Sequence, residues 1–318
     1  MGSETLLRVP IIDFSNPSLQ RGSPEWESIK LQVQKALEEY GCFEAVYVKV
    51  SSDLRKALFD SLEELFDLPL ETKVKNSSKK PFHGYVQKIP KMLLFESLGI
   101  DDANVLEKVK GSADVLWPEG NPRFCNTIQI YSEQISELDQ MIRRMVVESY
   151  GVEKYFEEHM DLTNYLLRVM KIRTPETTDA AEIGLLPHTD MNMLTILSQN
   201  HVDGLQLQTK DGEWIDVKPS PNSFTVVAGD AFNVWTNARV HSPTHRVMMK
   251  GKETRYSTGL FAIPKSGHII KAPEELVDEE HPLLFKPYDH VEFLGYFYAQ
   301  AHRYGTTAQS ALKTFCGV

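Results

Sequence analysis

A histidine and an aspartate two positions apart, in His188-Thr189-Asp190, are the side chains of this chain best suited to gripping a divalent cation. Extended backbone turns residues i and i+2 to the same face, so a strand through this run brings an imidazole and a carboxylate to one point. A third ligand must then come from far along the chain. His245, in Ser242-Pro243-Thr244-His245-Arg246-Val247, is the best candidate, and His241 competes with it from the same neighbourhood. Two histidines and one carboxylate leave coordination positions open, an arrangement that suits non-haem Fe(II) and oxygen chemistry. Beyond His245, Arg255-Tyr256-Ser257 sets a guanidinium and a hydroxyl on one strand face, which suits a carboxylate held end-on.

Each of these signals has a plainer explanation when taken alone. His-x-Asp pairs arise by chance and on surfaces, and most strand arginines are simply solvated. His83, His159, His201, His268, His281, His290 and His302 read as surface or core histidines. A zinc hydrolase on a β-barrel could use the same three ligands, but hydrolysis has no need of the Arg255–Ser257 pair.

The elements that must position these residues fall into two textures. Before residue 160 the pattern is helical. Apolar residues at Trp26, Ile29, Val33, Ala36, Leu37 and Tyr40 step by three and four, and Gly41 stops the helix. A second helix follows Ser52, its expected N-cap, with Leu54, Leu58, Leu62, Leu65 and Phe66 facing inward. The strongest stripe runs through Ile128, Tyr131, Ile135, Leu138, Ile142, Met145 and Val146, and predicts a helix packed on a sheet. Val9–Phe14, Cys42–Tyr47 and Phe82–Tyr85 read as strands. After Tyr165 come short β-like runs: Leu194–Leu197, Gly204–Gln208, Trp214–Val217, Phe224–Ala228, Arg246–Met249 and Tyr256–Ala262, with a hairpin turn at Lys210–Glu213. Many short strands at regular spacing indicate a sandwich or barrel. No Gly-rich phosphate loop accompanies them, which argues against a dinucleotide-binding fold. The tail from Glu292 to Phe315 reads as a helix.

Composition narrows the partners. Of 318 residues, 42% are hydrophobic and 25% charged, as in ordinary globular proteins. A net charge of −10 argues against nucleic acid or an anionic membrane as the main partner. Cys42, Cys125 and Cys316 are widely spaced and odd in number, so a reducing compartment is expected rather than a disulfide framework. No secretion signal, lipidation box or bilayer-length apolar run is read, and the expectation is a cytoplasmic, monomeric protein acting on a small molecule.

A family resemblance covers nearly the whole chain. Val9–Asp13, Tyr40-Gly41-Cys42-Phe43-Glu44, Leu68-Pro69-Leu70-Glu71-Thr72-Lys73, His188-Thr189-Asp190, Val202–Gln206, Gly229-Asp230, His241-Ser242-Pro243, His245-Arg246-Val247 and Arg255-Tyr256-Ser257 together resemble the plant 2-oxoglutarate- and Fe(II)-dependent dioxygenases of specialised metabolism. The branch it looks most like contains glucosinolate side-chain-modifying enzymes, an aryltetralin-lignan ring-closing enzyme and steroidal glycoalkaloid hydroxylases. Glu274–Leu283 and the ending Phe315-Cys316-Gly317-Val318 look closest to the last of these.

The resemblance implies a mixed α and β fold: a distorted double-stranded β-helix (jelly-roll, cupin-like) core over residues 161–318, ending in a helical tail, with a helical N-terminal region over residues 1–160. It selects His245 over His241 as third ligand, because the family motif places the ligand before Arg-Val. Fe(II) on His188, Asp190 and His245, 2-oxoglutarate on Arg255 and Ser257, and O2 as oxidant are implied, with ascorbate supportive. The outcome is release of succinate and CO2 and oxidation, by default hydroxylation, of a triterpenoid, steroidal or phenolic scaffold. Phe82, Phe95, Trp235 and Phe261 are the candidate substrate-lining residues, each equally suited to plain core.

Two departures from the family pattern stand out. Where many members carry Asn-x-Tyr touching the co-substrate, this chain has Met170 and Ile172 in Arg168-Val169-Met170-Lys171-Ile172. The usual Asn-Gly-Arg turn is Asn237-Ala238-Arg239, and alanine disfavours positive φ, so a local change of the turn is expected. The first departure keeps two other readings in view: a non-catalytic small-molecule binding protein on the same fold, or an Fe(II) oxidase that needs no 2-oxoglutarate.

Overall fold

The computed structural model describes residues 8–81, 83–175, 181–304 and 308–318. The N-terminal half runs β1 (Ile11–Asp13), α1 (Pro24–Glu39), β2 (Cys42–Val46), α2 (Ser52–Phe66), α3 (Leu70–Lys73), β3 (Val86–Ile89), β4 (Met92–Asp101), α4 (Leu106–Leu116), α5 (Pro122–Ser149) and α6 (Phe156–Asp161). The C-terminal half continues β5 (Thr163–Ile172), β6 (Glu182–His188), β7 (Leu194–Gln199), β8 (Leu205–Gln208), β9 (Trp214–Asp216), β10 (Ser223–Ala228), α7 (Asp230–Trp235), β11 (His245–Met249), β12 (Arg255–Pro264), β13 (Ile269–Ile270), β14 (Tyr288–Asp289), α8 (His290–Tyr304) and α9 (Ala308–Cys316).

Helix starts follow local chemistry. Ser23 caps α1 by accepting the Trp26 N–H, with proline in the first turn, and Gly41 leaves the helix at φ +66°. The cap of α2 is Ser51, which accepts from Leu54 N–H at 3.1 Å, and Ser52 is the first helical residue rather than the cap. The apolar stripe of α5 is buried along its length, as its period demands. Its Tyr131 hydroxyl meets Thr258 Oγ1 of β12 at 2.9 Å. Farther along, buried Arg143 grips Asp139 Oδ2 at 2.6 Å, and Tyr165 of β5 donates to the same oxygen at 2.7 Å. Helix α5 is thereby fixed to the strands that carry the site.

Eight strands form one sheet in the order β1-β2-β10-β7-β12-β5-β4-β3, and four form a second in the order β6-β11-β8-β9. From β5 to β12 the chain alternates between the sheets, β5, β7, β10 and β12 in one and β6, β8, β9 and β11 in the other. That alternation is the jelly-roll arrangement, which removes most free edges. The two halves meet in a single sheet: β2 pairs with β10, and β4 pairs with β5. The strand expected at Phe82–Tyr85 lies at β3 instead, and Phe82 itself falls outside the described residues. Helix α4 and the ten-residue β4 had no clear periodic signal, and the tail divides into α8 and α9.

Antiparallel partners directly opposite one another share a face, so the register assigns side chains to sides. Met170, Ile172 and Phe95 pack with Leu205, Leu207, Val247 and Met249 of the smaller sheet, inside the roll. Leu167, Val169 and Leu260 pack with the helices on the other side. Among the described residues no helix is long and apolar enough to cross a membrane.

The altered turn keeps its left-handed shape despite losing glycine. Asn237 stands at φ +50° and Ala238 at φ +64°. The Ala238 N–H donates to Asn233 O at 2.8 Å, while the Asn237 side chain accepts from Leu284 N–H at 3.0 Å and so ties down the chain that leads to β14. An L-residue other than Asn or Asp pays for this conformation. Ala238→Gly is therefore expected to stabilise the protein by about 1 kcal/mol, read as a rise in the urea midpoint at constant m; an unchanged or lower midpoint would contradict the strain.

Candidate active site

His188 is the last residue of β6 and His245 the first of β11, and the two are direct cross-strand partners. Their rings lie 4.2 Å apart between centroids. Asp190 sits beyond the end of β6, so the strand does not run through all three motif residues as expected; the turn after His188 delivers the carboxylate. Asp190 Oδ1 is 3.7 Å from His188 Nε2 and 3.8 Å from His245 Nε2. The three ligand atoms lie within 4.8 Å of one another, a set that could hold a metal ion.

The donor atoms are prepared for that task. His188 Nδ1–H donates to Leu186 O at 2.8 Å, and His245 Nδ1–H points at Pro243 O at 3.3 Å. With the proton fixed on Nδ1, each Nε2 lone pair faces Asp190. Burial, reinforced by His245, lowers the His188 pKa and favours the neutral ligand form. Asp190 Oδ2 accepts the Thr195 hydroxyl at 2.6 Å, which leaves Oδ1 for the ion.

A buried carboxyl group, Asp230, ties the two ligand-bearing loops together. Its backbone N–H donates to Asp190 O at 2.7 Å. Its side chain accepts from Thr189 Oγ1 at 2.9 Å and from Ser242 Oγ at 2.7 Å. Burial pushes its pKa up to about 7 in spite of those donors. Gly229 allows the close approach: a Cβ there would stand 2.1 Å from Asn192 O and 3.0 Å from Asp190 O. Gly41 does the same against the loop before His245, where a Cβ would meet His241 O at 2.2 Å. His241 does not join the ligands; its backbone N–H is spent on Leu37 O.

Arg255 and Ser257 share the interior face of β12, as their spacing implied. Arg255 Nη1 donates to Ser257 Oγ at 2.8 Å and Nη2 to Gln199 Oε1 at 2.7 Å. The guanidinium is buried, its Nε–H has no acceptor among the described residues, and burial lowers its pKa to about 10, so it stays charged at neutral pH. A buried cation whose hydrogen-bond partners, Ser257 and Gln199, are both neutral fits an incoming carboxylate. Gln199, Thr195 and Asp230 were not found from sequence, since each acts across strands or loops that no local pattern links. Gly229-Asp230 and Ser242 had marked the resemblance but carried no assigned role.

The candidate substrate aromatics separate. Phe261, half-buried on the interior face, pairs across strands with Thr195, whose hydroxyl holds Asp190. Phe95 is interior too, but stands in the row Phe95–Ile172–Arg255 on the guanidinium side. Trp235 is built into the core on the helix side, 4.4 Å from the His159 ring, and does not meet the three ligands. Arg168, also interior, is buried close enough to Asp190 and His188 to act on both charges, and it donates to Ser97. Tyr256, between Arg255 and Ser257, faces away toward Phe66. Two surface grooves of about 290 and 360 Å³, one along Val202–Gln206 and the other along β1 and α1, include none of the three ligands.

Two outcomes follow from these contacts. Thr195→Val should leave the fold intact and weaken Fe(II) binding about tenfold or more, measured by anaerobic titration, because Asp190 loses its orienting donor. In the iron-free protein, burial depresses His241 and His290 to about 4 and His159 well below its ordinary value. Depressed histidines stabilise above pH 6.5 and lose that contribution as pH falls, while Asp230, raised, works the opposite way. With His188 depressed in the same way, four histidines each lose about 1 kcal/mol or slightly more between pH 7 and 5.5 while Asp230 regains about 1.5, so a net loss of about 3 kcal/mol is expected in urea unfolding. Equal stability at the two pH values would contradict it.

Residues 157–264 match the 2OG-Fe(II) oxygenase superfamily, and residues 9–92 match the non-haem dioxygenase in morphine synthesis N-terminal family. The Arabidopsis thaliana protein described as probable 2-oxoglutarate-dependent dioxygenase AOP1.2 is 52% identical over 313 residues, 97% of this chain and 95% of its own length. The 2-oxoglutarate-dependent dioxygenase AOP3 of the same plant is 35% identical, with 98% of each chain covered. The crystal structure of the dioxygenase for auxin oxidation in rice superimposes with a TM-score of 0.82 at 26% identity, over 97% of this chain and all (100%) of that one.

Proposed function

The chain belongs to the 2OG-Fe(II) oxygenase superfamily as a 2-oxoglutarate-dependent dioxygenase similar to the AOP proteins, and on that premise we propose that it hydroxylates a plant specialised metabolite. In this reading His188, Asp190 and His245 hold Fe(II), and Arg255 and Ser257 hold the distal carboxylate of 2-oxoglutarate. The bound iron supplies the oxygen chemistry, coupling decarboxylation of 2-oxoglutarate to succinate and CO2 with insertion of one oxygen atom into the substrate.

The chain's own groups do the rest. Leu186 and Pro243 carbonyls keep each Nε2 free to ligate. Thr195 aims the Asp190 carboxylate. Arg255 supplies a fixed planar fork that Lys could not reproduce. The observation that carries the reading is this buried guanidinium, whose Nε–H has no acceptor among the described residues, on the strand face that looks into the roll. It also disfavours the oxidase and the zinc hydrolase, neither of which needs such a clamp.

Phe261, half-buried beside Thr195, supports an apolar substrate such as a triterpenoid, steroidal or phenolic scaffold. The likeness to the AOP proteins favours a second reading, an anionic glucosinolate-type substrate. The enzyme acts as a monomer in either case.

The test is succinate formation after anaerobic loading with Fe(II), addition of 2-oxoglutarate and ascorbate, and admission of oxygen. The panel comprises steroidal, triterpenoid, phenylpropanoid and glucosinolate compounds. Succinate should rise with one class and fall at least a hundredfold in His188→Ala. Phe261→Ala should lower the ratio of oxidised substrate to succinate by half or more. Iron-loaded protein that forms no succinate with any compound would overturn the proposal in favour of a binding protein or oxidase.

A further inference from the structure

We propose that Gln199 is a positioning residue for 2-oxoglutarate: it holds the Arg255 guanidinium in the plane from which that group meets the distal carboxylate. The inference rests on reading Arg255 and Ser257 as the clamp, and it adds a member to it.

The register of the large sheet shows what surrounds the guanidinium. Ser97, Met170, Ser257 and Gln199 form one cross-strand row on the interior face, and Phe95, Ile172 and Arg255 form the next. On the β5 side Arg255 therefore has a thioether and a branched alkyl group for neighbours. Polar support on that level comes from the β7 side, where buried Gln199 accepts from Arg255 Nη2 at 2.7 Å.

The amide is itself held at both ends. Gln199 Nε2 donates to Val202 O at 3.1 Å, which leaves Oε1 toward Arg255. The reversed amide would set NH2 against the guanidinium, donor against donor, and lose both bonds. Ser257 accepts from Nη1 at 2.8 Å, so its own proton is free to reach a carboxylate oxygen. Two of the three guanidinium nitrogens are thus fixed from opposite sides and the third, Nε, keeps a donor in reserve. Arginine has a long rotatable stem, and a fork held in advance loses less freedom when it binds. A glutamine that was merely satisfied core would have no bearing on 2-oxoglutarate affinity.

The experiment is anaerobic calorimetric titration of 2-oxoglutarate into Fe(II)-loaded protein, with steady-state kinetics alongside. Gln199→Leu should raise the 2-oxoglutarate Kd and KM about tenfold, while kcat at saturating 2-oxoglutarate and the Fe(II) Kd change less than twofold. Gln199→Glu, of nearly the same size, should raise the Kd a hundredfold or more, because its carboxylate satisfies Arg255 internally. A 2-oxoglutarate Kd within twofold of wild type in both variants overturns the proposal. So does a parallel loss of Fe(II) affinity in both, which would mark a general structural role. Wild-type protein that binds Fe(II) but no 2-oxoglutarate overturns the clamp itself, and with it the proposed function.

Discussion

The backbone register between β6 and β11 is the constraint on which the rest depends. Opposing His188 to His245 at the end of the smaller sheet sets two imidazoles within reach of one ion before any side-chain contact is made. A slip of one residue between the two strands would turn one ring to the other face, away from its partner, and no local adjustment could recover it. The pairing becomes irregular immediately after His245, with register shifts at Val247 and Met248. Such irregularity re-aims a strand end, and here it separates the metal-bearing end from the regular ladder below.

Register alone places the histidines but not the carboxylate, which comes from a turn. That turn is held by a polar network centred on Asp230, joined to Asp190 through the backbone and to Thr189 and Ser242 through its side chain. The network spans the loop after β6, the start of α7 and the loop before β11, so it couples the placement of all three ligands. Buried polar groups of this kind are costly when partly satisfied and rigid when complete. Gly229 and Gly41 are the steric counterpart, sites where backbone passes too near for any side chain.

Much of this was legible in the chain. The helical stripes of α1, α2 and α5 and the short-strand texture after Tyr165 follow from periodicity, because one buried face forces a period. The His188–Asp190 and Arg255–Ser257 pairs were legible because the members of each sit two positions apart, although the turn that delivers Asp190 was not. Choosing His245 over His241 needed the family motif, since both are histidines in one loop and only the strand start separates them. Thr195, Asp230 and Gln199 were illegible for a different reason: their partners lie on other strands or loops, and nothing in a one-dimensional pattern records a cross-strand neighbour. Helix α4 and strand β4 lacked a clean period, and Trp235 has the composition of a pocket wall but the packing of core.

Strand β12 behaves as a ruler. It begins with Arg255 and carries Phe261 six positions later on the same interior face, a span of about 20 Å at the usual rise of a strand. On the proposed reading, the group that would recognise the common co-substrate and the group that would stand beside the variable one therefore occupy separate marks on one rigid rod. Residues near the Phe261 mark can drift without disturbing the Arg255 mark. A scaffold so divided lets a lineage exchange one metabolite for another while its oxidative machinery stays whole.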